Sequence, residues 1–234
     1  MSAPGDRWSD LRPRILSAIV MAAIGAVEIW FGGWSFLLLI AALTSVMIWE
    51  LARLTDKEHP ERALAIALLA FACLMLDEGW PSVSAWLVFP FVPLAFLALP
   101  RQHRDAAAAI SVAIMVSGHG LFVLRDEAGI VAVLWLLGVV ITSDVMGYFA
   151  GRILGGPKFW PAISPKKTWS GTIAGWIGAA LLGLGFVLAG HGSWGLVLLS
   201  PVVAFAGQMG DIAESWLKRR VGAKDSSNLI PGHG

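Results

Sequence analysis

Apolar runs long enough to cross a bilayer recur almost without pause from Ile15 to Gly210, and this constrains the fold more than any other feature. A spanning helix needs about 20 mostly apolar residues. Eight candidates follow: Ile15–Gly33, Trp34–Ala52, Ala63–Leu76, Val83–Leu99, Ala106–Leu124, Ala128–Ala150, Gly171–Gly190 and Trp194–Gly210. Only 14% of residues are charged, against about 25% in an ordinary soluble domain. The expected fold is therefore all-α, a polytopic transmembrane helical bundle of about eight spans. The third run is short, and Pro90 and Pro93 predict a kink in the fourth. Gly32-Gly33 predicts a tight turn between the first two. The N-terminal run resembles a signal peptide, but Glu28 near its end and the spans that follow at once favour a retained first span.

The basic residues test this count. With the N-terminus in the cytoplasm and strict alternation, every Lys and Arg falls on the inside except Arg125. Asp77-Glu78 and Asp126-Glu127 fall in outside turns. That sorting follows the positive-inside rule, and a miscounted span would have scrambled it. Trp30, Trp34, Trp80 and Trp194 lie near run ends, where indoles anchor at the interface. The net charge of +1 gives no field that would favour nucleic acid. The single cysteine, Cys73, excludes an intrachain disulfide and a Cys-based metal cluster. The domain expectation is one integral membrane domain, with N-terminal spans over 1–105 and the chemistry over 106–234.

Polar chemistry concentrates in three stretches on the inside face. The first is TSDVMGYFAGR, where Asp144 interrupts an apolar span. A carboxylate at that depth needs a partner, a cavity or a metal. Helical spacing puts Asp144, Tyr148 and Gly151 on one face with Arg152 beside them. The plain alternative is a surface Asp paired with a nearby Arg. The second stretch, Ser164-Pro165-Lys166-Lys167-Thr168, sets two ammonium groups beside two hydroxyls, a set that suits phosphate oxygens. Attraction to anionic lipid headgroups would explain the same charges. Gly171 and Gly175 after it read as a close helix-packing pair. The third stretch runs from Gly210 to Gly234. Asp211, Ser215 and Lys218 fall on one helix stripe, Glu214 and Lys218 pair at i,i+4, and Lys224-Asp225 and His233 follow. A carboxylate on such a stripe could hold Mg²⁺ bridged to substrate phosphates; a solvated amphipathic helix is the bland reading. His59, His103, His119 and His191 read as loop or packing residues, and Glu28 and Glu50 as side chains reaching the interface.

Taken together, SDVMGYFAGRILGG, ISPKKTWSGTIAG and GDIAESWLKRRVGAKDSSNLIPGHG resemble the phosphatidate cytidylyltransferase (CDP-diacylglycerol synthase) family. The resemblance covers about Thr142 to Gly234. It implies transfer of the CMP moiety of CTP to phosphatidic acid, giving CDP-diacylglycerol and pyrophosphate with Mg²⁺. It assigns Asp211 and Asp144 to metal, with Lys167 and Lys218 beside them in catalysis. Ser164, Lys166, Lys167, Thr168, Ser215, Arg219, Lys224, Asp225 and His233 would contact substrate. Two departures stand out. Ser170 occupies a position where the family usually has Glu. The family's Pro-Gly-His-Gly continues into an Asp-Arg pair, whose Asp is expected to ligand metal opposite Asp211, and a last span. The given sequence stops first, so it reads as a fragment or a truncated chain.

The partners implied are CTP, phosphatidic acid and the bilayer, with no nucleic acid and a homodimer left open. The setting implied is a bacterial inner membrane with the site on the cytoplasmic face. Three other readings share these features: a cytidylyltransferase for another lipid phosphate, a non-catalytic truncated membrane protein, and an ion-coupled transporter. Transport would predict acids at the midplane and an inverted repeat, and neither is visible.

Overall fold

The computed structural model describes residues 11–80 and 84–223. They form helices α1 (Leu11–Phe31), α2 (Gly33–Thr55), α3 (Pro60–Gly79), α4 (Ala85–Val88), α5 (Phe91–Ala98), α6 (Arg104–Ile153), α7 (Trp169–Leu188) and α8 (Gly195–Arg220). Two short strands, β1 (Lys158–Trp160) and β2 (Ser164–Thr168), stand between α6 and α7. Among the described residues, α2, α6, α7 and α8 are long and apolar enough to cross a membrane. The protein is thus an all-α membrane protein. Among the described residues the hairpin departs from the all-α expectation, in the connection where sequence suggested only loop.

The helix boundaries follow local chemistry. Gly32 turns at φ 67°, a conformation that suits glycine, and separates α1 from α2. Pro60 starts α3 at a position where its missing N–H costs nothing. The fourth apolar run is interrupted at Pro90, between α4 and α5, where Phe89 and Pro90 keep helical backbone angles, in keeping with the expected proline kink. Gly129, at φ 79° and ψ −173°, interrupts α6 and divides it into two arms that match two of the expected runs.

The described residues form two compact units, one from residues 11–126 with 221–223, the other Glu127–Arg220. In the first, Phe36, Leu37 and Ile40 of α2 pack with Phe122 of α6. Arg125 donates to the carbonyls of Ile29 (2.6 Å) and Trp30 (3.0 Å), so it caps the negative end of α1. In the second, Trp135 and Val139 of α6 pack on Ala179 of α7 and Ala204 of α8. The Trp135 indole N–H donates to buried Ser200 Oγ at 2.9 Å, which satisfies the one polar atom of a large apolar side chain. Helices here approach through small residues, as expected where lipid offers no hydrophobic drive to association.

Candidate active site

The polar site lies wholly in the second unit. Ser143, Asp144, Gly147, Tyr148, Gly151 and Arg152 line it from the last turns of α6. Their spacing of three and four residues puts them along one helix face. Lys166, Lys167 and Thr168 come from β2, Gly171 and Thr172 from α7, and Gln208 and Asp211 from α8. These residues enclose a cleft of about 530 Å³, within the range of small-molecule sites.

Absent side chains bring the three helices together. A Cβ on Gly171 would stand 2.5 Å from the Gly147 carbonyl oxygen, and one on Gly175 would stand 2.9 Å from both Gln208 Nε2 and Ser143 Oγ. The G-x-x-x-G pair therefore sets how closely α7 approaches α6 and α8. Gln208 then ties the three helices: it accepts from the Trp176 indole at 3.0 Å and donates to Ser143 Oγ at 3.4 Å.

The hairpin presents the lysines. β1 and β2 pair antiparallel, Lys158 opposite Thr168 and Trp160 opposite Ser164. Phe159 packs on Trp169 with ring centroids 4.6 Å apart. Thr168 caps α7 by accepting from the Gly171 N–H at 3.2 Å, which satisfies one of the first-turn donors. Ser170 donates to the Gly155 carbonyl and lies 3.1 Å from Thr168 Oγ1. Ser170 thus ties the Gly155-Gly156 turn to the start of α7. Arg219 of α8 donates to the Ala162 carbonyl at 3.1 Å and so holds the hairpin's turn.

Within the cleft Lys167 Nζ lies 2.9 Å from Asp211 Oδ2 and 3.4 Å from the Gln208 carbonyl. Arg152 donates to Tyr148 Oη at 2.9 Å. The lining thus holds three bases, Arg152, Lys166 and Lys167, and two acids, Asp144 and Asp211.

Of the residues singled out in the sequence, Asp144, Lys166, Lys167, Thr168 and Asp211 meet in this cleft. Ser164, Ser215, Lys218 and Arg219 do not line it. Lys218 pairs with Glu214 at 2.9 Å, and Arg219 supports the hairpin instead. Lys224, Asp225 and His233 lie outside the described residues. Sequence reasoning passed over Ser143, Thr172 and Gln208. Gln208, an amide within an apolar run, carried a readable signal; the two hydroxyls carried none.

Comparison with known proteins bears on this arrangement. The cytidylyltransferase family matches residues 12–234. The chain is 36% identical over 234 residues to the phosphatidate cytidylyltransferase of Brucella abortus (strain 2308), covering 97% of this chain and 86% of the relative. It is 31% identical over 227 residues to that of Helicobacter pylori (strain J99), covering 95% and 84%. It is 30% identical over 237 residues to that of Staphylococcus haemolyticus, covering 96% and 91%.

Proposed function

The chain belongs to the cytidylyltransferase family, and from that premise we propose that it transfers the cytidylyl group of CTP to phosphatidic acid, yielding CDP-diacylglycerol and pyrophosphate. The observation that carries the reading is the Lys167–Asp211 pair, set in a cleft with Lys166, Arg152 and Asp144 at the polar end of apolar helices. A phosphate oxygen of the lipid attacks the α-phosphorus of CTP. The bond to the bridging oxygen breaks, and pyrophosphate leaves with its electron pair. The lipid phosphate is already ionised at neutral pH, so no side chain need act as nucleophile or strong base. The protein's work is alignment and charge neutralisation.

Lys166, Lys167 and Arg152 neutralise phosphate oxygens. Thr168 is a positioning residue: it accepts from the Gly171 N–H and, because Ser170 gives its own proton to the Gly155 carbonyl, donates to Ser170 Oγ, so it fixes the strand-to-helix corner that carries Lys166 and Lys167. The fit to Mg²⁺ is reasonable: Asp144 and Asp211 offer hard oxygen donors, and this ion is usually held by one or two carboxylates plus substrate phosphates. Bound there, Mg²⁺ would supply charge stabilisation to the departing pyrophosphate. Lys167 now holds Asp211, so it exchanges that carboxylate for a substrate phosphate when CTP enters.

The exposed apolar side chains of Tyr148, Phe149, Ile153 and Leu154 adjoin Arg152. They suit a lipid that enters sideways from the bilayer with its phosphate at the cleft, along the small residues of 151–156 and 171–178. The wider setting is an eight-span protein of a bacterial inner membrane with the N-terminus and the site on the cytoplasmic side. The sorting of the bases supports it. The chemistry is assigned to residues 106–234.

The test is pyrophosphate release by the purified protein in detergent, given CTP, phosphatidic acid and Mg²⁺. Release that requires all three is expected. Release independent of the lipid, or none from folded protein, overturns the reading.

A further inference from the structure

Three ligand-type side chains converge in the first unit, away from any role in cytidylyl transfer. Asp77 and Glu78 close α3, and His119 comes from the N-terminal arm of α6. His119 Nδ1 lies 2.9 Å from Asp77 Oδ2 and 3.2 Å from Glu78 Oε1. One donor atom from each residue falls within 4.8 Å of the others. The last turn of a helix carries partial negative charge, so two consecutive carboxylates there are unfavourable without a cation. An imidazolium contributes at most one positive charge and one Nδ1 proton, and two carboxylates compete for it.

A second observation points to a ligand. The Asp77 side chain is only 7% exposed. Its Oδ2 and His119 Nδ1 are both buried and, despite their closeness, neither has an aligned hydrogen-bond partner among the described residues. Two ligand-type groups held this close with no aligned hydrogen bond between them have the arrangement of ligands to one cation. The separations of 2.9 and 3.2 Å are near the ~3.3 Å edge of a tetrahedron with metal–ligand bonds of about 2.0 Å. Outer contacts hold the ligands in place, as is usual around a metal. The Ala85 backbone N–H bonds the Asp77 carboxylate, and the Phe89 ring packs edge-on against His119 with centroids 5.4 Å apart.

We propose that Asp77, Glu78 and His119 form a binding site for a divalent transition-metal ion of the Zn²⁺ type, separate from the catalytic cleft. One imidazole and two carboxylates suit Zn²⁺ better than Mg²⁺, which prefers oxygen alone. The ion joins the end of α3 to α6 and offsets the surplus carboxylate charge.

The experiment uses the full chain in detergent, stripped with chelator and desalted. Zn²⁺ is titrated by calorimetry, and Co²⁺ serves as a spectroscopic probe whose visible bands report tetrahedral ligation. Expected are one strongly bound Zn²⁺ per chain and a rise in apparent Tm on its addition. Both should weaken by at least about tenfold in affinity in His119→Gln and Asp77→Asn. The milder Glu78→Gln, which retains volume and hydrogen bonding, should show an intermediate loss and covers the case in which the other two fail to fold. Asp211→Asn should leave this binding unchanged. No Zn²⁺ binding by the folded wild type, equal binding in the variants, or loss confined to Asp211→Asn would overturn the proposal.

Discussion

Lys167 and Asp211 are 44 residues apart in sequence, yet Lys167 Nζ and Asp211 Oδ2 are joined at 2.9 Å across the cleft. The ammonium group and the carboxylate hold each other in the absence of substrate, and each then has a separate partner in the proposed reaction. The pair is 29% and 59% exposed in its side chains, so its own contribution to stability is small. Its value is positional.

Substitutions at the pair should therefore separate chemistry from binding. Asp211→Asn keeps shape and removes charge. Turnover is expected to fall on the order of 10²-fold or more with the protein still folded in the membrane, as loss of a charge-stabilising group usually does. Lys167→Ala is expected to raise the KM for CTP about tenfold, since each 1.4 kcal/mol of lost phosphate contact is one decade. Steady-state pyrophosphate release reads both; near-normal turnover in Asp211→Asn would remove it from the site.

The close approach of α6 and α7 predicts a sharp size limit at Gly171. A Cβ there would meet the Gly147 carbonyl, which is backbone and cannot swing aside. Gly171→Ala should cost about 1–3 kcal/mol, the usual range for overpacking, and should also lower turnover by displacing the Thr168 cap. Gly185, where a Cβ would meet open space, is the control. Equal apparent Tm values for the two alanine variants would refute the size limit.

Gln208 is the polar tie among three helices, so Gln208→Leu leaves the Trp176 indole N–H without its acceptor. A fully buried donor stripped of its partner costs about 1–3 kcal/mol, and the half-buried Trp176 indole falls toward the lower end. The variant should unfold at lower temperature and show altered tryptophan emission. Gln208→Glu, which preserves an acceptor for Trp176, should recover part of the loss. An unchanged melting profile in Gln208→Leu would mean that the tie adds nothing.

The reach of the sequence in this chain follows the physics of each feature. Helix positions were legible because lipid demands long apolar runs, and the breaks at Gly32, Pro90 and Gly129 bear chemistry that forbids or loosens helix. The acids and lysines of the cleft were legible because charge beside an apolar span needs a reason. The hairpin of β1 and β2 was not, since five residues such as SPKKT carry no alternating pattern and owe their pairing to the Trp169–Phe159 contact and to Arg219. Ser143 and Thr172 were silent because a hydroxyl in a helix can bond its own backbone. His119 read as a packing residue because its partners, Asp77 and Glu78, lie some forty positions earlier and only the fold of α3 against α6 joins them.

A further prediction concerns acid. Asp56 follows α2 and is held by His59 Nδ1 at 3.0 Å and Arg62 at 3.5 Å, with Arg101 close by. Burial alone would raise its pKa, but the hydrogen bond and charge of His59, with Arg62 and Arg101, more than offset burial and hold it below the usual carboxylate value. A folded-state pKa below the unfolded one gives stability that is fully present above the unfolded value of about 3.9 and is lost as pH falls through the folded value. Asp56→Asn lacks this titration. The wild type should therefore melt above Asp56→Asn at about pH 5 to 6, and the margin should narrow as pH falls below about 4. Apparent Tm against pH for the two proteins in one detergent measures it. A margin that persists undiminished to pH 3 would show that the Asp56 contribution is packing and not charge.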